Sequence, residues 1–337
     1  MDKYVKITKL FVIIGFKMKK NSNQKIYQST REGYGEALVE IGKRNEKVVV
    51  LDAETSNSTY AQNFKKVFPD RFFEMFIAEQ NMVSVALGFD KMGFIPFLST
   101  FSAFLTRAFD QIRMAQYSNA NLKIAGSHAG VSIGADGSSQ MGLEDLSMMR
   151  SILESVVFYP SDSYSTKKLV KIMAENYGIF YIRLTREKTP IIYNEGFSFE
   201  IGGSIVHRLD FTQKFKKKAL VITAGITLFE ALKAQEKLVE ANIDLVVLDC
   251  YSVKPLDEKT ILSLTKETKN VIVVEDHYPY GGLGEAVSFL LLKNKLNLEN
   301  FSHLCVSKIP MSGKPEELLA YMGIDKKAII DQVRKFF

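Results

Sequence analysis

From Lys47 to the end of the chain, short runs of β-branched and aromatic residues alternate with longer stretches of helical period. A run such as Val48 to Asp52 is apolar on both faces of a strand, so it needs cover on both sides. A parallel sheet wrapped by helices provides that cover. The candidate strands are Val48 to Asp52, Phe72 to Ile77, Ile95 to Thr100, Leu122 to His128, Val156 to Tyr159 and Phe180 to Leu184. Between them, Glu79 to Lys91, Phe101 to Ser118, Leu143 to Leu153 and Ser163 to Glu175 carry apolar residues at three- and four-residue spacings. This predicts one doubly wound domain over 26–185. A polar, Gly-containing stretch over 186–203 reads as a linker. A second alternation over 204–337 has strands at Ala219 to Thr223, Asp244 to Leu248, Val271 to Glu275 and Leu304 to Ile309. Its helices are Thr227 to Ala241, Glu258 to Glu267, Gly284 to Leu292 and Pro315 to Tyr321. The expected fold class is therefore α/β, two doubly wound sheet domains in series. Lys216 to Lys218 reads as a solvated turn.

The 337 residues, 46% hydrophobic and 24% charged, suffice for two such cores. The surplus of Lys+Arg over Asp+Glu, 44 against 38, is scattered rather than gathered into a stripe, which argues against a nucleic-acid partner. The two cysteines, Cys250 and Cys305, stand in no disulfide or metal spacing and suit a reducing cytoplasm. Ile7 to Met18 has the apolar run of a signal sequence but no small-residue cleavage pattern after it. It also falls short of the roughly 20 residues that span a bilayer. Residues 1–25 are read as an N-terminal extension, with Met18 an alternative start, and no membrane association is expected.

Parallel sheets place their sites at the carboxyl ends of strands, which singles out Asp52, Glu79, Thr100, His128 and Arg186. Glu79, in IAEQNM, is a carboxylate where a strand enters an apolar helix. There an acid either caps the helix dipole or serves a site. The next strand-to-helix junction, STFSAFLTRAFDQIR, puts Phe101 and Phe104 three apart on one helical face beside the same sheet edge. An acid beside an aromatic platform suits a flat heterocycle. His128 follows a strand in a segment with five glycines, Gly126 to Gly142, that also holds Asp136 and Gln140. Such glycines let backbone approach a ligand closely. The GADG at Gly134 to Gly137 is not a magnesium-diphosphate motif, because Ala135 stands where the first glycine belongs and no Asn follows at the required distance. Arg31 and Arg186 stand at segment ends, where a guanidinium fork suits phosphate. Ser58, in ETSNST, adds a hydroxyl.

Taken in order, STREGYGEAL, DAETSNST, FIAEQNM, STFSAFLTRAFDQIR, GSHAGVSIGADGSSQMGLEDL, FYPSD, IRLTR, VKPLD, VVEDHYPYGGLGEAV and SGKPEELL resemble the transketolase family from Thr30 onward. The resemblance is to an animal-like branch, in which Gln140 stands in place of a second active-site histidine. It covers the pyrimidine-binding and C-terminal domains but not the preceding domain, which in the family carries the GDG…N motif. By resemblance the chain is the C-terminal subunit of a split transketolase. Its partner would be an N-terminal subunit holding Mg2+ (or Ca2+) and the diphosphate of a shared thiamine diphosphate, in a heterotetramer with two copies of each chain.

The resemblance also implies roles. Glu79 would hydrogen-bond N1′ of the aminopyrimidine, with its carboxyl kept protonated in an apolar pocket formed by Phe101 and Phe104. Phe104 would stack on the ring, and Asp52 would also touch the cofactor. Arg31, Ser58, His128 and Arg186 would hold sugar phosphate, with Ser56 an alternative to Ser58. Asp136 would bind a sugar hydroxyl and Gln140 the donor end. The reaction implied is transfer of a two-carbon unit from ketose phosphate to aldose phosphate in the pentose phosphate pathway, with Glu79 and His128 as the catalytic residues and the hydroxyl bound by Asp136 near the reacting carbons. The C-terminal domain offers no catalytic residue, and its HYPYGGLG segment, with His277, is read as a subunit contact. The rivals are the β subunit of a 2-oxo acid dehydrogenase, a 1-deoxyxylulose-5-phosphate synthase, and a noncatalytic partner-binding paralogue. The set Arg31, His128 and Arg186 argues against the first.

Overall fold

A computed structural model describes residues 26–209 and 215–337. The expected N-terminal extension lies outside the described residues. Strand β1 (Tyr27–Ser29) leads into α1 (Thr30–Arg44), which starts with a capping box: the Ser29 side chain accepts from the Glu32 amide while Glu32 accepts from the Ser29 amide at 2.7 Å. There follow β2 (Val48–Asp52), the short helices α2 (Ser56–Thr59) and α3 (Gln62–Val67), β3 (Phe72–Glu74), α4 (Glu79–Lys91) and β4 (Ile95–Phe101). Next come α5 (Phe109–Tyr117), β5 (Lys123–Ser127), α6 (Asp145–Ser151), β6 (Val156–Phe158), α7 (Ser163–Glu175), β7 (Phe180–Arg183) and β8 (Lys188–Pro190). The second half holds β9 (Ile205–His207), β10 (Lys217–Thr223), α8 (Thr227–Val239), β11 (Ile243–Asp249), β12 (Ser252–Lys254) and α9 (Glu258–Thr268). It ends with β13 (Asn270–Val274), α10 (Leu283–Lys293), β14 (Asn300–Leu304), α11 (Pro315–Met322) and α12 (Lys326–Arg334).

The first sheet has the order β12-β6-β7-β5-β4-β2-β3, parallel except for β12. The second has the order β14-β13-β10-β11-β9, parallel except for β9. The two doubly wound sheets follow from strands buried on both faces: every residue of β2, β11 and β13 is buried. Each Val, Leu or Ile so buried contributes about 1.5–3 kcal/mol.

The triple lysine differs from the sequence expectation, and two other segments make contacts within the chain. The 186–203 stretch is packed rather than free: β8 pairs with β1, and the Asp162 carboxylate accepts from the Ile192 and Tyr193 amides at 2.8 and 3.0 Å. Lys217 and Lys218 open β10, and Lys218 pairs with Glu267 at 2.9 Å, so the triple lysine is not a turn. HYPYGGLG docks on its own chain. The Tyr278 amide donates to the Leu143 carbonyl at 3.2 Å, Arg150 donates to the carbonyls of Gly281 and Gly282, and Ser147 to that of Tyr280.

Candidate active site

The order of the first sheet reverses at β2 and β4, whose carboxyl ends form the crevice where ligands collect in open α/β sheets. Glu79 is the first residue of α4, with 3% of its surface exposed, and α4 has no side-chain cap of its own. The apolar pocket expected around this carboxyl is interrupted. Its Oε1 accepts from Arg107 at 2.5 Å, and the Arg107 guanidinium lies 4.6 Å from the centre of the Phe104 ring.

Phe101 and Phe104 meet, but not as two turns of one helix. Phe101 ends β4 and Phe104 opens a 3-10 turn, Phe104–Ala108, with α5 starting only at Phe109. The aromatic spacing suggested an earlier helix start than the β4 pairing allows, since Phe101 is still in register with Ser127 of β5. The two rings stack all the same, with centroids 5.1 Å apart and planes at 12°. Phe101 then stacks on His128, at 3.7 Å and 13°.

His128 follows β5 with φ +56, and Gly130, Gly134 and Gly137 take positive φ after it, so the chain folds back over its own strand end. Its Nδ1 lies 3.0 Å from the Ser127 hydroxyl, and its Nε2 lies 4.0 Å from Asp136. Burial, reinforced by the charges of Arg31 and Arg186, lowers its pKa to about 3. The imidazole is therefore neutral at physiological pH, able to donate from one nitrogen and accept at the other.

Asp136 accepts from Arg186 at 2.7 Å, and Arg186 also donates to the Ile133 carbonyl at 3.1 Å. Arg31 donates to the Ser58 carbonyl at 2.8 Å, leaving its Nε buried without a partner among the described residues. Burial, with the neighbouring Arg186 charge, weakens its hold on its proton. Two guanidiniums whose charges act on each other, one with a buried N–H unpaired among the described residues, make a setting that an anion completes. Ser58 joins the group through its carbonyl. Gln140 closes the 3-10 turn Ser138–Gln140, half-buried, its amide bonded to the Gly137 carbonyl at 3.1 Å.

Asp52 is bonded within its own loop. It is fully buried, and its oxygens accept from the Thr55 amide at 2.6 Å, the Thr55 hydroxyl at 3.2 Å and the Thr59 hydroxyl at 2.8 Å. It holds the turn that presents Ser58, so a strand-end acid here stabilises a loop. Arg107 is a site residue that the sequence expectation lacks, its one signal being its position three residues past Phe104.

The result is a continuous wall from Glu79 and Arg107 across Phe104 and Phe101 to His128, Asp136 and Arg186. A buried carboxyl at a helix start beside stacked rings fits the aminopyrimidine of a thiamine cofactor. Among the described residues no group of three His, Cys, Asp or Glu is placed to hold a metal ion.

Residues 27–191 match the family described as Transketolase, pyrimidine binding domain, and residues 209–329 match Transketolase, C-terminal domain. Human transketolase is 48% identical over 308 residues, covering 91% of this chain and 48% of that protein. Bovine transketolase-like protein 1 is 50% identical over 309 residues, covering 91% of this chain and 51% of that protein. The chain thus spans about half the length of the curated relatives it matches. A solved structure described as a split gene transketolase, inactive beta4 tetramer, superposes with a TM-score of 0.82 at 38% identity, covering 91% of this chain and 97% of that one. A transketolase from Campylobacter jejuni, at 19% identity and a TM-score of 0.76, shares the fold. With matches to both domains and this near-complete overlap, the chain belongs to the transketolase family and corresponds to its pyrimidine-binding and C-terminal domains.

Proposed function

We propose that this chain is the C-terminal subunit of a split transketolase, moving a two-carbon ketol unit from a ketose phosphate to an aldose phosphate in the cytoplasmic pentose phosphate pathway. A separate subunit would hold the diphosphate and a Mg2+ or Ca2+ ion. The observation that carries this is the wall itself, which sets a buried carboxyl and an aromatic stack at one end and a two-arginine anion setting at the other. The likeness to a split-gene chain over 97% of that chain supports the division into subunits.

Bound against this wall, thiamine diphosphate supplies the electron sink that makes carbon–carbon cleavage beside a carbonyl accessible. The chain's own residues do the rest. Glu79 would hydrogen-bond the ring nitrogen of the bound cofactor, the contact through which acid–base chemistry would run. Phe104 and Phe101 exclude water from that hydrogen bond. His128, neutral, exchanges hydrogen bonds with sugar oxygens near the reacting carbons, where Asp136 takes a hydroxyl and Gln140 holds the donor end. Arg31 and Arg186 bind phosphate, with Ser58 beside them.

The test mixes the purified chain with a subunit carrying the diphosphate-binding domain and assays xylulose 5-phosphate with ribose 5-phosphate. Turnover by the mixture, with neither chain active alone, is expected. The isolated chain is also expected to show no magnesium-dependent cofactor binding near micromolar concentration, roughly −8 kcal/mol. Unaided turnover by the lone chain contradicts the shared site, and turnover of pyruvate instead replaces the transketolase reading with that of a 2-oxo acid dehydrogenase.

A further inference from the structure

Arg107 occupies both surfaces that the proposed function assigns to the heterocycle. Residues three apart in a 3-10 turn eclipse one another, so Arg107 folds back over Phe104, its guanidinium 4.6 Å from the ring centre. The same group donates to Glu79 at 2.5 Å. A flat aminopyrimidine needs that carboxyl and that ring face together, and a planar guanidinium in the same place excludes it. The side chain is poised to leave: Arg107 is 51% exposed, against 3% for the Glu79 beneath it. Among the described residues Glu79 is its one hydrogen-bond partner, so it can swing into water by giving up that bond and its contact with Phe104.

We propose that Arg107 is a displaceable cover on the ring-binding end of the site, pairing Glu79 and shielding Phe104 until the heterocycle takes its place. The inference rests on the thiamine reading above and adds to it an internal competitor carried by this chain. The cover explains how a carboxyl that must donate to the ring can stand ion-paired in the free chain: Arg107 leaves as a solvated cation, the carboxylate takes up one proton from solvent, and the neutral carboxyl then donates to the ring that has replaced Arg107. It also implies that an unpartnered chain resists filling its half-site with stray heterocycles, because each must first displace a charge-assisted hydrogen bond and a cation–π contact.

Free thiamine, which has the ring but no diphosphate, is the probe, and its binding to the full-length chain is read by saturation-transfer NMR. Arg107→Gln is expected to tighten the dissociation constant at least tenfold, and Arg107→Lys, which keeps a charge but not a planar group, by less. The gain is expected to disappear in Arg107→Gln/Phe104→Ala, while a merely structural Arg107 would leave thiamine affinity unchanged or lower it. Unchanged or weaker binding by Arg107→Gln, including no detectable binding by any variant, overturns the cover. Failure of the underlying reading registers separately, as absence of thiamine diphosphate binding and turnover when the wild-type chain is mixed with its diphosphate-binding companion.

Discussion

The two sheets share a topology, and both bring charged groups to the carboxyl ends of their strands, but they cover them differently. In the first sheet Glu79 lies beneath one half-exposed Arg107, and His128 lies beneath the Asp136–Arg186 pair. In the second, Asp249, Glu275, Asp276 and His277 are covered by the body of the protein. Asp276 accepts from Arg183 of the first sheet at 2.7 Å and from Tyr159 at 2.8 Å; Asp249 accepts from Tyr193 at 2.5 Å and Ser161 at 3.0 Å. Glu275 accepts from the Leu283 and Gly284 amides and from His303, at 2.7, 2.9 and 2.7 Å. A cover one side chain thick leaves a site; a cover of packed protein makes a brace. The second half of the chain therefore acts on the first by holding the segment that carries His128 and Asp136.

The sharpest way to break the brace is Arg183→Ala. Arg183 is fully buried and bridges Asp145 and Asp276 at 2.8 and 2.7 Å, so its loss strands two buried carboxylates. Urea unfolding is expected to show a loss of about 3–5 kcal/mol. Gly130→Ala tests where the brace touches the site loop. Gly130 has φ +78, and a Cβ there would stand 1.7 Å from Asp276 Oδ2. A loss of about 2 kcal/mol in urea unfolding is expected from the strained backbone and the displaced carboxylate.

A change at the thin cover should act on substrate instead. Arg186→Ala in the reconstituted enzyme is expected to raise KM for a sugar phosphate about tenfold, or ~1.4 kcal/mol, with urea stability changed by less than about 0.5 kcal/mol. Steady-state kinetics with phosphorylated and unphosphorylated donors reads this directly: only the former should be affected.

The smallest effect is on pH. Burial raises the pKa of Asp52 in the first sheet and Asp249 in the second to about 7. Each binds its proton more tightly folded than unfolded, so its stabilising contribution is full below the unfolded value and is lost as pH rises through about 7. His128 has the opposite sign, and its contribution is lost only as pH falls from about 6.5 toward its lowered value. Urea midpoints are expected to decline as pH rises from about 4 to about 7, most steeply above about 6.5 where His128 no longer opposes the loss, and to level off by about pH 8. Either Asp52→Asn or Asp249→Asn should flatten part of that decline.

Much of the scaffold was legible in the sequence because buried strands and amphipathic helices have clear periods. Glu79–Lys91 and Ser163–Glu175 were read to the residue. Where the signal was local rather than periodic, it misled. The apolar Leu304 to Ile309 suggested a strand, but the strand is the half-exposed edge Asn300–Leu304, whose polar alternation hides it. Helices α1 and α12, absent from the sequence expectation, announce themselves through a cap, Ser29–Glu32 and Asp325. The edge strands β9 and β12 are three residues each, too short to carry a period.

At the site, Glu79, Phe101, Phe104, His128, Asp136 and Arg186 form one wall, and Arg31 and Ser58 form a joined pair whose charge reaches His128. Asp52 and Arg107 were illegible for a common reason. Which strand-end acid is saturated by its own loop, and which is covered by a distant cation, depends on side-chain placement that spacing does not encode.

Thiazolium C2 proton exchange in the reconstituted complex, followed by NMR in deuterated water, bears most directly on the role given to Glu79. With Glu79→Gln, exchange is expected to slow by about 10²–10⁴-fold while cofactor remains bound. Exchange at the wild-type rate in that variant would contradict the account.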